Sequence, residues 1–318
     1  MKKVVDNPRL MIRVCDLYYN REASLQEIST ALGLSRPTIN RLLNSAKEAG
    51  IVRIEIPDLD AVRYWDLEQE LKAAYGLKEV IISDPGSSKE EMLVSLGKAA
   101  AGFLQHSIHD GDIVGVSMGD SLQHAVEQIT APAASGTVFV PLIGGMGKLR
   151  MELHANPIAQ RMAELYGGDF YPLHVPARGS GDKVRAEILR EESIAAAVQQ
   201  MRALNVAVVG IGCPSEQSVL KATGLFEQKE INDLTERGAV GEVCLQFYDE
   251  NGNTKPFAEN RQVVGLDAAR LRKVPLSVGI AGGIDKAAAI LGALRGKMIN
   301  VLVTDAESAN ALLQFHIL

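Results

Sequence analysis

The stretch Ser24–Leu43, SLQEISTALGLSRPTINRLL, carries the signals of two short helices joined by a tight turn. Ser24 and Glu27 stand three residues apart before an apolar run, which is the capping-box spacing of a helix start. Gly33 can adopt the left-handed conformation that ends a helix, and Ser35 can cap the next one. The stretch therefore predicts a helix-turn-helix.

Apolar side chains recur at helical spacing in both predicted helices and define the faces that pack together. The small Ser29 stands where two helices at a short turn approach closely, and Pro37 suits the first turn of the second helix. The apolar positions are Leu25, Ile28 and Leu32 in the first helix, Leu34 at the corner, and Ile39, Leu42 and Leu43 in the second.

The outward face of the second predicted helix is rich in side chains that read DNA. Arginine pairs with guanine and asparagine with adenine in the major groove, while lysine mostly meets phosphate. The alternative is an ordinary helical hairpin with a solvated polar face, but the caps, the turn and the apolar spacing agree within twenty residues. We predict DNA contacts from Ser24, Ser35, Arg36, Thr38, Asn40, Arg41, Asn44 and Lys47.

Length and charge indicate a second, larger domain of different character. The chain has 318 residues, enough for about two domains, and 47% of them are hydrophobic. Residues 1–56 hold nine basic and six acidic side chains, whereas the remainder holds 24 and 33. A mildly basic head on an acidic body fits a head that meets nucleic acid and a body that does not.

Cysteine usage and the N-terminus predict a cytoplasmic protein. Cys15, Cys213 and Cys244 are odd in number and widely scattered, with no disulfide framework or zinc spacing. The N-terminal residues MKKVVDNPRLMIR contain no apolar core of a signal peptide, and no apolar run approaches the roughly 18 residues of a membrane span.

The head is predicted to occupy residues 1–57 and the body residues 58–318. A first helix over Pro8–Tyr19 supports the other two through Leu10, Val14, Leu17 and Tyr18. The alternating run Ile51–Ile56 predicts a short strand, such as a wing beside DNA, before Pro57. A helix over Asp60–Tyr75, with Leu67, Leu71 and Tyr75 spaced by four, then begins the body.

From Lys78 onward, near-continuous apolar strands alternate with helices, which predicts an α/β fold with a Rossmann-like parallel sheet covered on both faces. We expect an added hairpin from a strand over Gly241–Tyr248 that runs into a turn at Asp249–Gly252, and late helices over Ile284–Leu294 and Asp305–Leu313. The predicted sheet strands are Glu79–Ile82, Ile113–Val116, Thr137–Leu142, Phe170–Val175, Val206–Gly210, Leu276–Ile280 and Ile299–Val303.

Four of these strands run directly into glycine-containing loops. Ligands of an open parallel sheet bind at the carboxyl ends of its strands, where glycine lets the backbone approach an anion and helix N-termini supply donors. The alternative is that the glycines serve turn geometry alone. The loops contain Ser117, Gly119, Asp120 and Ser121; Gly144 and Gly145; Gly210 and Gly212; and Gly282 and Gly283 with Lys286 close behind.

These loops predict a site for a phosphorylated small molecule, with a hydroxyl from Ser121 and a charge from Lys286. No loop has the strand–GxxxxGK[ST] or the GxGxxG pattern, so neither a nucleoside triphosphate nor a dinucleotide is expected, and we expect no cofactor. The six histidines form no metal signature. His154 and Asn156 are candidate contacts to sugar hydroxyls, or else caps of the helix that begins near Pro157.

The chain resembles, nearly end to end, the SorC-type sugar-responsive transcription regulators of bacteria. The matching blocks are LYYNREASLQEISTALGLSRPTINRLLNSAKEAGIV at 17–52, GDIVGVSMGDSL at 111–122, PLIGGMG at 141–147, VAVVGIG at 206–212, GAVGEVCLQFYDENG at 238–252 and GIAGGIDKAAAILGALRGKMINVLVTDAESANALL at 279–313. The last block is the most specific of them.

The resemblance implies a body shaped like sugar-phosphate isomerases, a sugar or sugar-phosphate effector, and a dimeric or tetrameric repressor or activator. It places the effector phosphate on Gly119–Ser121 and Lys286, and sugar hydroxyls at Glu242. Two departures make an unphosphorylated sugar or polyol an open alternative. Ile143 replaces a basic residue of some relatives, and Asp120 places a carboxylate where some have a hydroxyl.

The leading interpretation is therefore a transcription regulator whose head binds a pseudo-palindromic operator and whose bound effector changes the placement of the heads. The alternative is a sugar-phosphate isomerase or deaminase with an accessory head, for which Asp120, Glu242, Asp249 and Lys286 are acid–base candidates. A nucleic-acid-binding scaffold without a ligand is disfavoured by the loop glycines. The helix-turn-helix favours the regulator, with no enzymatic activity.

Overall fold

The computed structural model describes residues 7–53, 62–130, 132–147, 150–214, 220 and 224–317. The chain divides into two compact units, Met1–Arg63 and Tyr64–Leu318. The boundary that we predict between residues 57 and 58 lies outside the described residues and stays a prediction.

The described part of the N-terminal unit, residues 7–53 and 62–63, contains three α-helices, α1 Pro8–Cys15, α2 Leu25–Leu32 and α3 Arg36–Glu48. Glu27 accepts a hydrogen bond from the Ser24 backbone at 2.8 Å and Ser24 accepts one from Glu27, which confirms the capping box. Gly33 is left-handed with φ 63°, and the Ser35 hydroxyl caps α3. The helix-turn-helix is thus confirmed.

The core of this unit contains Ile28, Ile39, Leu42, Leu43 and Ala46, while Leu25 and Leu32 are only half-buried against it. The Ser29 hydroxyl donates to the Leu34 carbonyl at 2.6 Å, so this small side chain also ties the turn.

The first helix differs from its prediction over Pro8–Tyr19. The α-helix ends at Cys15 and continues as a π-helical turn over Asp16–Asn20. The wider turn shifts the helical phase after Cys15, and Tyr18 within it is exposed, while the buried residues of α1 are Met11, Val14 and Cys15. Residues 51–53 of the predicted wing form no strand, and residues 54–56 lie outside the described part of the chain.

The larger unit contains a seven-stranded parallel sheet in the order β1-β9-β8-β5-β2-β3-β4. Alternate residues of its central strand belong to different apolar clusters: Val206 and Val208 to one, Ala207 and Val209 to the other. The sheet is therefore covered on both faces, as predicted. The strands are β1 Glu79–Ser83, β2 Ile113–Val116, β3 Val138–Pro141, β4 Asp169–Phe170, β5 Val206–Gly210, β8 Leu276–Ile280 and β9 Val301–Asp305.

Helices connect most of the strands. Among the described residues, none of these helices has the length and apolarity that crossing a bilayer requires. They are α4 Trp65–Tyr75, α5 Lys89–Ser107, α6 Asp120–Glu127, α7 Ala155–Tyr166, α8 Asp182–Ile188, α9 Ala195–Arg202, α10 Gln228–Glu236, α11 Ala268–Leu271, α12 Ala287–Arg295 and α13 Ala306–Ile317.

Several elements of the body differ from their predicted bounds. Strand β9 runs over Val301–Asp305 instead of Ile299–Val303, and β3 runs over Val138–Pro141 instead of Thr137–Leu142, while β1 and the last helix differ only at their ends. Strand β4 has two residues instead of the predicted Phe170–Val175, because the Asn156 side chain takes both backbone hydrogen bonds of Leu173. Helix α4 begins at Trp65 instead of Asp60, which lies outside the described residues. The predicted helix Ile284–Leu294 opens with a 3₁₀ turn over Ile284–Lys286.

The predicted strand Gly241–Tyr248 is itself a hairpin of β6 Gly241–Val243 and β7 Gln246–Tyr248. Cys244 and Leu245 form its turn with φ of 53° and 59°, the left-handed pair that tight hairpins require. The Glu242 carboxylate accepts the Leu245 backbone N–H at 2.7 Å and so stabilises this turn. The predicted turn at Asp249–Gly252 therefore comes after the hairpin and does not connect its two strands.

Candidate functional site

A cavity of about 490 Å³ lies at the carboxyl ends of five neighbouring strands, β1, β9, β8, β5 and β2. Ten of the fifteen predicted effector-site residues line it. They are Ser117, Gly119, Asp120, Ser121, Gly210, Gly212, Glu242, Gly282, Gly283 and Lys286.

One wall of the cavity is the start of helix α6. Gly119 has φ 113° and precedes the helix, whose first backbone N–H groups have no partner within it. Ser121 is buried and lines the cavity in this first turn. These donors can bind an anion or the hydroxyl oxygens of a sugar.

Asp120 is the first residue of α6, and it brings a carboxylate to the cavity lining. Arg150 contacts it at 3.0 Å, although Arg150 itself does not line the cavity. This ion pair is largely exposed, so it is held weakly. A ligand can therefore compete with Arg150 for the Asp120 carboxylate.

Glu242 is the carboxylic acid that the hairpin brings to the cavity, and it is buried, with 6% of its surface exposed. The backbones of Glu242 and Gly212 exchange two hydrogen bonds, which fix the hairpin to the end of strand β5. A Cβ on Gly212 would stand 2.3 Å from Glu242 Oε1, so only glycine leaves room for this carboxyl group.

Burial raises the pKa of Glu242 to about 7, against the opposing effects of the Leu245 hydrogen bond and the Lys286 charge. One oxygen accepts from Leu245, while the other has no hydrogen bond to any residue that the structure describes. The group can therefore accept a ligand hydroxyl near neutral pH, or donate a proton to a ligand oxygen when it is protonated.

Lys286 is half-buried at the end of the 3₁₀ turn and forms no ion pair with a described residue. Gly283 has φ 102°, and its N–H donates to Asp305 at 2.7 Å. Asp305 also accepts hydrogen bonds from Ser308 and Glu307, so its carboxylate is committed to the fold. Lys286 is the cation that this loop offers to a ligand.

Ser117 and Cys244 hydrogen-bond to each other in the cavity wall. Burial raises the pKa of the Cys244 thiol to about 12, in spite of this bond. The thiol therefore stays protonated at neutral pH, and the wall here is weakly polar.

The other five predicted residues do not line the cavity. Strand β3 lies beyond β2, which places its loop farther along the sheet, and Gly144 packs against the Val175 and Pro176 carbonyls. The Asn156 side chain donates a hydrogen bond to the Leu173 carbonyl and accepts one from the Leu173 N–H. The Asp249 carboxylate accepts backbone hydrogen bonds within the turn that it begins. Gly145 and His154 complete this set; the Met146 N–H approaches His154 Nδ1 at 3.5 Å. Ile143 is fully buried and also outside the lining.

Sequence reasoning missed the segment Pro85–Lys89, which follows β1 and forms another wall of the cavity. Its signal was the same as in the other loops: a strand, then Gly86, then a helix whose N-cap is Ser88. The remaining lining residues that were missed are Met92, Leu93, Met118, Ile211, Cys213, Leu220, Cys244, Ile284, Asp285, Asp305 and Glu307.

In the N-terminal unit, the polar face of α3 is accessible as predicted, while the cap residues Ser24 of α2 and Ser35 of α3 are also used within the fold. Ser24 bonds Glu27, and Ser35 shares a 2.8 Å hydrogen bond with the half-buried Thr38. The Arg36 guanidinium is bonded to Gln26, an exposed amide that sequence reasoning missed. The exposed remainder is Asn40, Arg41, Asn44 and Lys47.

No cluster of three potential metal ligands occurs among the residues that the structure describes. Of the residues that the structure describes, the charged groups that line the cavity are two cations and five acidic side chains. They are Lys89 and Lys286 against Asp120, Glu242, Asp285, Asp305 and Glu307.

Two family models match the chain in succession. The model described as "Putative sugar-binding domain" matches residues 60–314, and the one described as "Winged helix-turn-helix DNA-binding" matches residues 17–53. The first covers the unit that contains the cavity, and the second covers α2 and α3.

Curated relatives match over nearly their whole length. The sorbitol operon regulator of Klebsiella pneumoniae is 34% identical over 97% of this chain and 99% of its own. The deoxyribonucleoside regulator of Bacillus subtilis is 31% identical over 96% and 98%. The crystal structure of the full-length sorbitol operon regulator SorC from Klebsiella pneumoniae superimposes with a TM-score of 0.73, at 33% identity, over 96% of this chain and 98% of that one.

Proposed function

The chain belongs to the SorC-type family of sugar-binding transcriptional regulators, and we propose that a sugar, polyol or sugar phosphate binds in its cavity between Glu242 and Lys286. It is a DNA-binding regulator of carbohydrate utilisation. The observation that carries the proposed site is that the α6 N-terminus, the buried Glu242 and Lys286, which has no ion pair with a described residue, all line one cavity.

These three groups suit different parts of one ligand. The α6 N-terminus and Lys286 suit a phosphate or the oxygen-rich end of a sugar, because they are the donors of the cavity. Glu242 suits a hydroxyl, because one of its oxygens is free to accept. The five acidic side chains against two lysines keep an unphosphorylated sugar or polyol as the alternative to a phosphate.

For the head, we propose that α3 enters the major groove and that Arg36, Asn40 and Arg41 contact bases. Asn44 and Lys47 lie farther along the helix and suit phosphates, with the hydroxyls of Ser24, Ser35 and Thr38 as further backbone contacts. Gln26 holds Arg36 and joins this surface.

We propose that the regulator acts as a dimer or tetramer on a pseudo-palindromic operator, with one recognition helix at each half-site. Effector and operator then change each other's affinity by the same factor. Because operator DNA is its target, we place the protein in the cytoplasm.

We propose that the bound ligand is not turned over. The acid–base set of the isomerase alternative is incomplete, because Asp249 lies outside the cavity that Asp120, Glu242 and Lys286 line, and Asp120 is paired with Arg150. Both curated relatives compared above are named regulators.

The test separates ligand binding from DNA binding in the full chain. A thermal-shift screen of sugars, polyols and their phosphates identifies the effector, since a ligand at 100 times its dissociation constant adds about 2.7 kcal/mol to stability. Lys286→Gln should abolish the shift and the effector response but keep operator binding, whereas Arg41→Ala should weaken operator binding at least tenfold and keep the shift.

Lys229→Gln and Arg13→Ala are matched controls, because both side chains are exposed in the same units and lie outside the proposed surfaces. An unchanged effector response in Lys286→Gln would remove Lys286 from the site. Turnover of the ligand by the purified protein would support the enzyme instead.

A further inference from the structure

A second cavity of about 590 Å³ lies in the body away from the first, between α8, the β6–β7 hairpin and the segment from Thr254 to Arg272. No residue lines both cavities. Four cationic side chains and two carboxylates line the second cavity: Arg185, Lys255, Arg261 and Arg272 against Asp182 and Asp267. Its charge is therefore opposite to that of the first cavity.

Two of these arginines are held in place without being neutralised. Arg185 Nε donates to the Val263 carbonyl, and Arg272 donates to the Gly296 and Gly252 carbonyls at 2.7 and 3.0 Å. Neither guanidinium forms an ion pair with a carboxylate of a described residue. Carbonyl partners fix the orientation of a guanidinium but leave its charge, so both groups are preorganised for an anion.

Two other arginines of the body are neutralised by carboxylates. Arg178 pairs with Glu230, and Arg237 pairs with both Asp233 and Glu259. The acidic residues of the second cavity do not neutralise Arg185 or Arg272 in this way. Asp267 caps α11, and Asp182 lies 3.4 Å from Arg261.

The wall of this cavity also contains the side-chain amide of Gln246. Gln246 is 94% buried and lines the cavity; its Nε2 donates to the Asn260 carbonyl at 3.2 Å. Its Oε1 has no hydrogen-bond partner in the part of the chain that the structure describes. This oxygen can therefore accept a hydrogen bond from a ligand hydroxyl.

We propose that this cavity is a second ligand site of the body, for a small anion that carries a phosphate or carboxylate group and a hydroxyl. Arg272, Arg185 and Lys255 bind the anionic group, and Gln246 accepts a hydrogen bond from the hydroxyl. The site does not depend on the proposed effector site, because none of these residues lines the first cavity.

Calorimetry on the full chain at low salt tests this site with three probes: inorganic phosphate, glycerol 3-phosphate and glycerol. We expect glycerol 3-phosphate to bind more tightly than phosphate and glycerol not to bind, and the affinity to fall as sodium chloride is added. Arg272→Gln should weaken glycerol 3-phosphate binding about tenfold. Lys255→Gln should weaken glycerol 3-phosphate binding less. This variant should still fold, because Lys255 is exposed and its side chain forms no hydrogen bond with a described residue.

Lys273→Gln is the matched control, since it removes the same charge from an exposed neighbour outside the cavity. Binding that survives Arg272→Gln and Lys255→Gln but is lost in Lys286→Gln would place the anion in the first cavity and overturn the proposal. A change of oligomeric state in Lys255→Gln, measured by light scattering, with unchanged anion affinity would assign the surface to a second copy and also overturn it.

Discussion

The helix-turn-helix takes its caps, its turn and most of its core from residues 24–46, whereas the first cavity takes its walls from residues between 85 and 307. In the head, the capping and turn hydrogen bonds join residues three to five positions apart, such as Ser24 with Glu27 and Ser29 with Leu34. In the cavity, Gly212 meets Glu242 and Gly283 meets Asp305.

The difference teaches where each activity is vulnerable. A local motif is disturbed only by changes within it, so its loss should leave the ligand site intact. A site assembled from five strand ends depends on each loop that faces it, so one methyl group in a distant loop can displace a binding side chain. The predictions below test this contrast, from the largest expected effect to the smallest.

The largest effect concerns the ionisation of Glu242, whose burial depends on the whole assembled cavity. Burial raises its pKa from 4.5 to about 7, so folding favours the protonated form. Its stabilising contribution is complete below about pH 4.5 and is lost as the pH rises through about 7. The difference corresponds to about 3 kcal/mol in the free energy of unfolding.

Denaturant unfolding of the full chain between pH 4.5 and 8 measures this loss. Fluorescence of Trp65, the only tryptophan in the sequence, follows the body. Glu242→Gln should flatten the pH dependence, while Glu307→Gln, which removes an exposed carboxylate of the same cavity, should not. A profile of Glu242→Gln that parallels the wild type would show that Glu242 does not carry the effect.

Gly212 packs against the Glu242 carboxyl group, so a methyl group added to Gly212 should also disturb the cavity. The Cβ of Gly212→Ala would stand 2.3 Å from Glu242 Oε1, so the carboxyl group must move. We expect a loss of about 1–3 kcal/mol in the stability of the body and weaker binding of the effector, measured by the same fluorescence and by calorimetry.

Gly102→Ala provides the control. Gly102 lies within α5, and no atom lies within 4 Å of the position its Cβ would take. Alanine there should be neutral or should stabilise by up to about 1 kcal/mol. Equal losses from both substitutions would mean that the Gly212 contact is not specific to the cavity.

The same contrast explains what the sequence could predict. Strands β2, β5 and β8 have their predicted bounds because each is a short apolar run buried on both faces. The caps of α2 and α3 were predictable because capping needs only neighbours. Placing the ligand site at the strand ends was also possible, since that rule holds for any open parallel sheet.

Two failures have long-range causes. The hairpin turn at Cys244–Leu245 contains neither glycine nor asparagine, and it is stabilised by the Glu242 carboxylate and by burial. No local pattern indicates it. The order of the strands in the sheet is likewise not indicated by any local pattern. Strand β1 pairs with β9 from the far end of the chain, which brings Pro85–Lys89 to the cavity. Strand β3 lies beyond β2, so its loop with Gly144 lies outside the cavity.

The smallest expected effect concerns the Ser24 cap, where the local character of the head is tested most directly. Ser24→Ala removes the side-chain acceptor for the Glu27 N–H and should cost about 1 kcal/mol in the stability of α2. Ser24→Asp keeps an acceptor and should restore most of it. Hydrogen exchange of the α2 amides measures the loss, and Trp65 fluorescence should show an unchanged body. If Ser24→Ala leaves exchange in α2 unchanged, or also lowers the stability of the body, the head is not the self-contained motif that its hydrogen bonds describe.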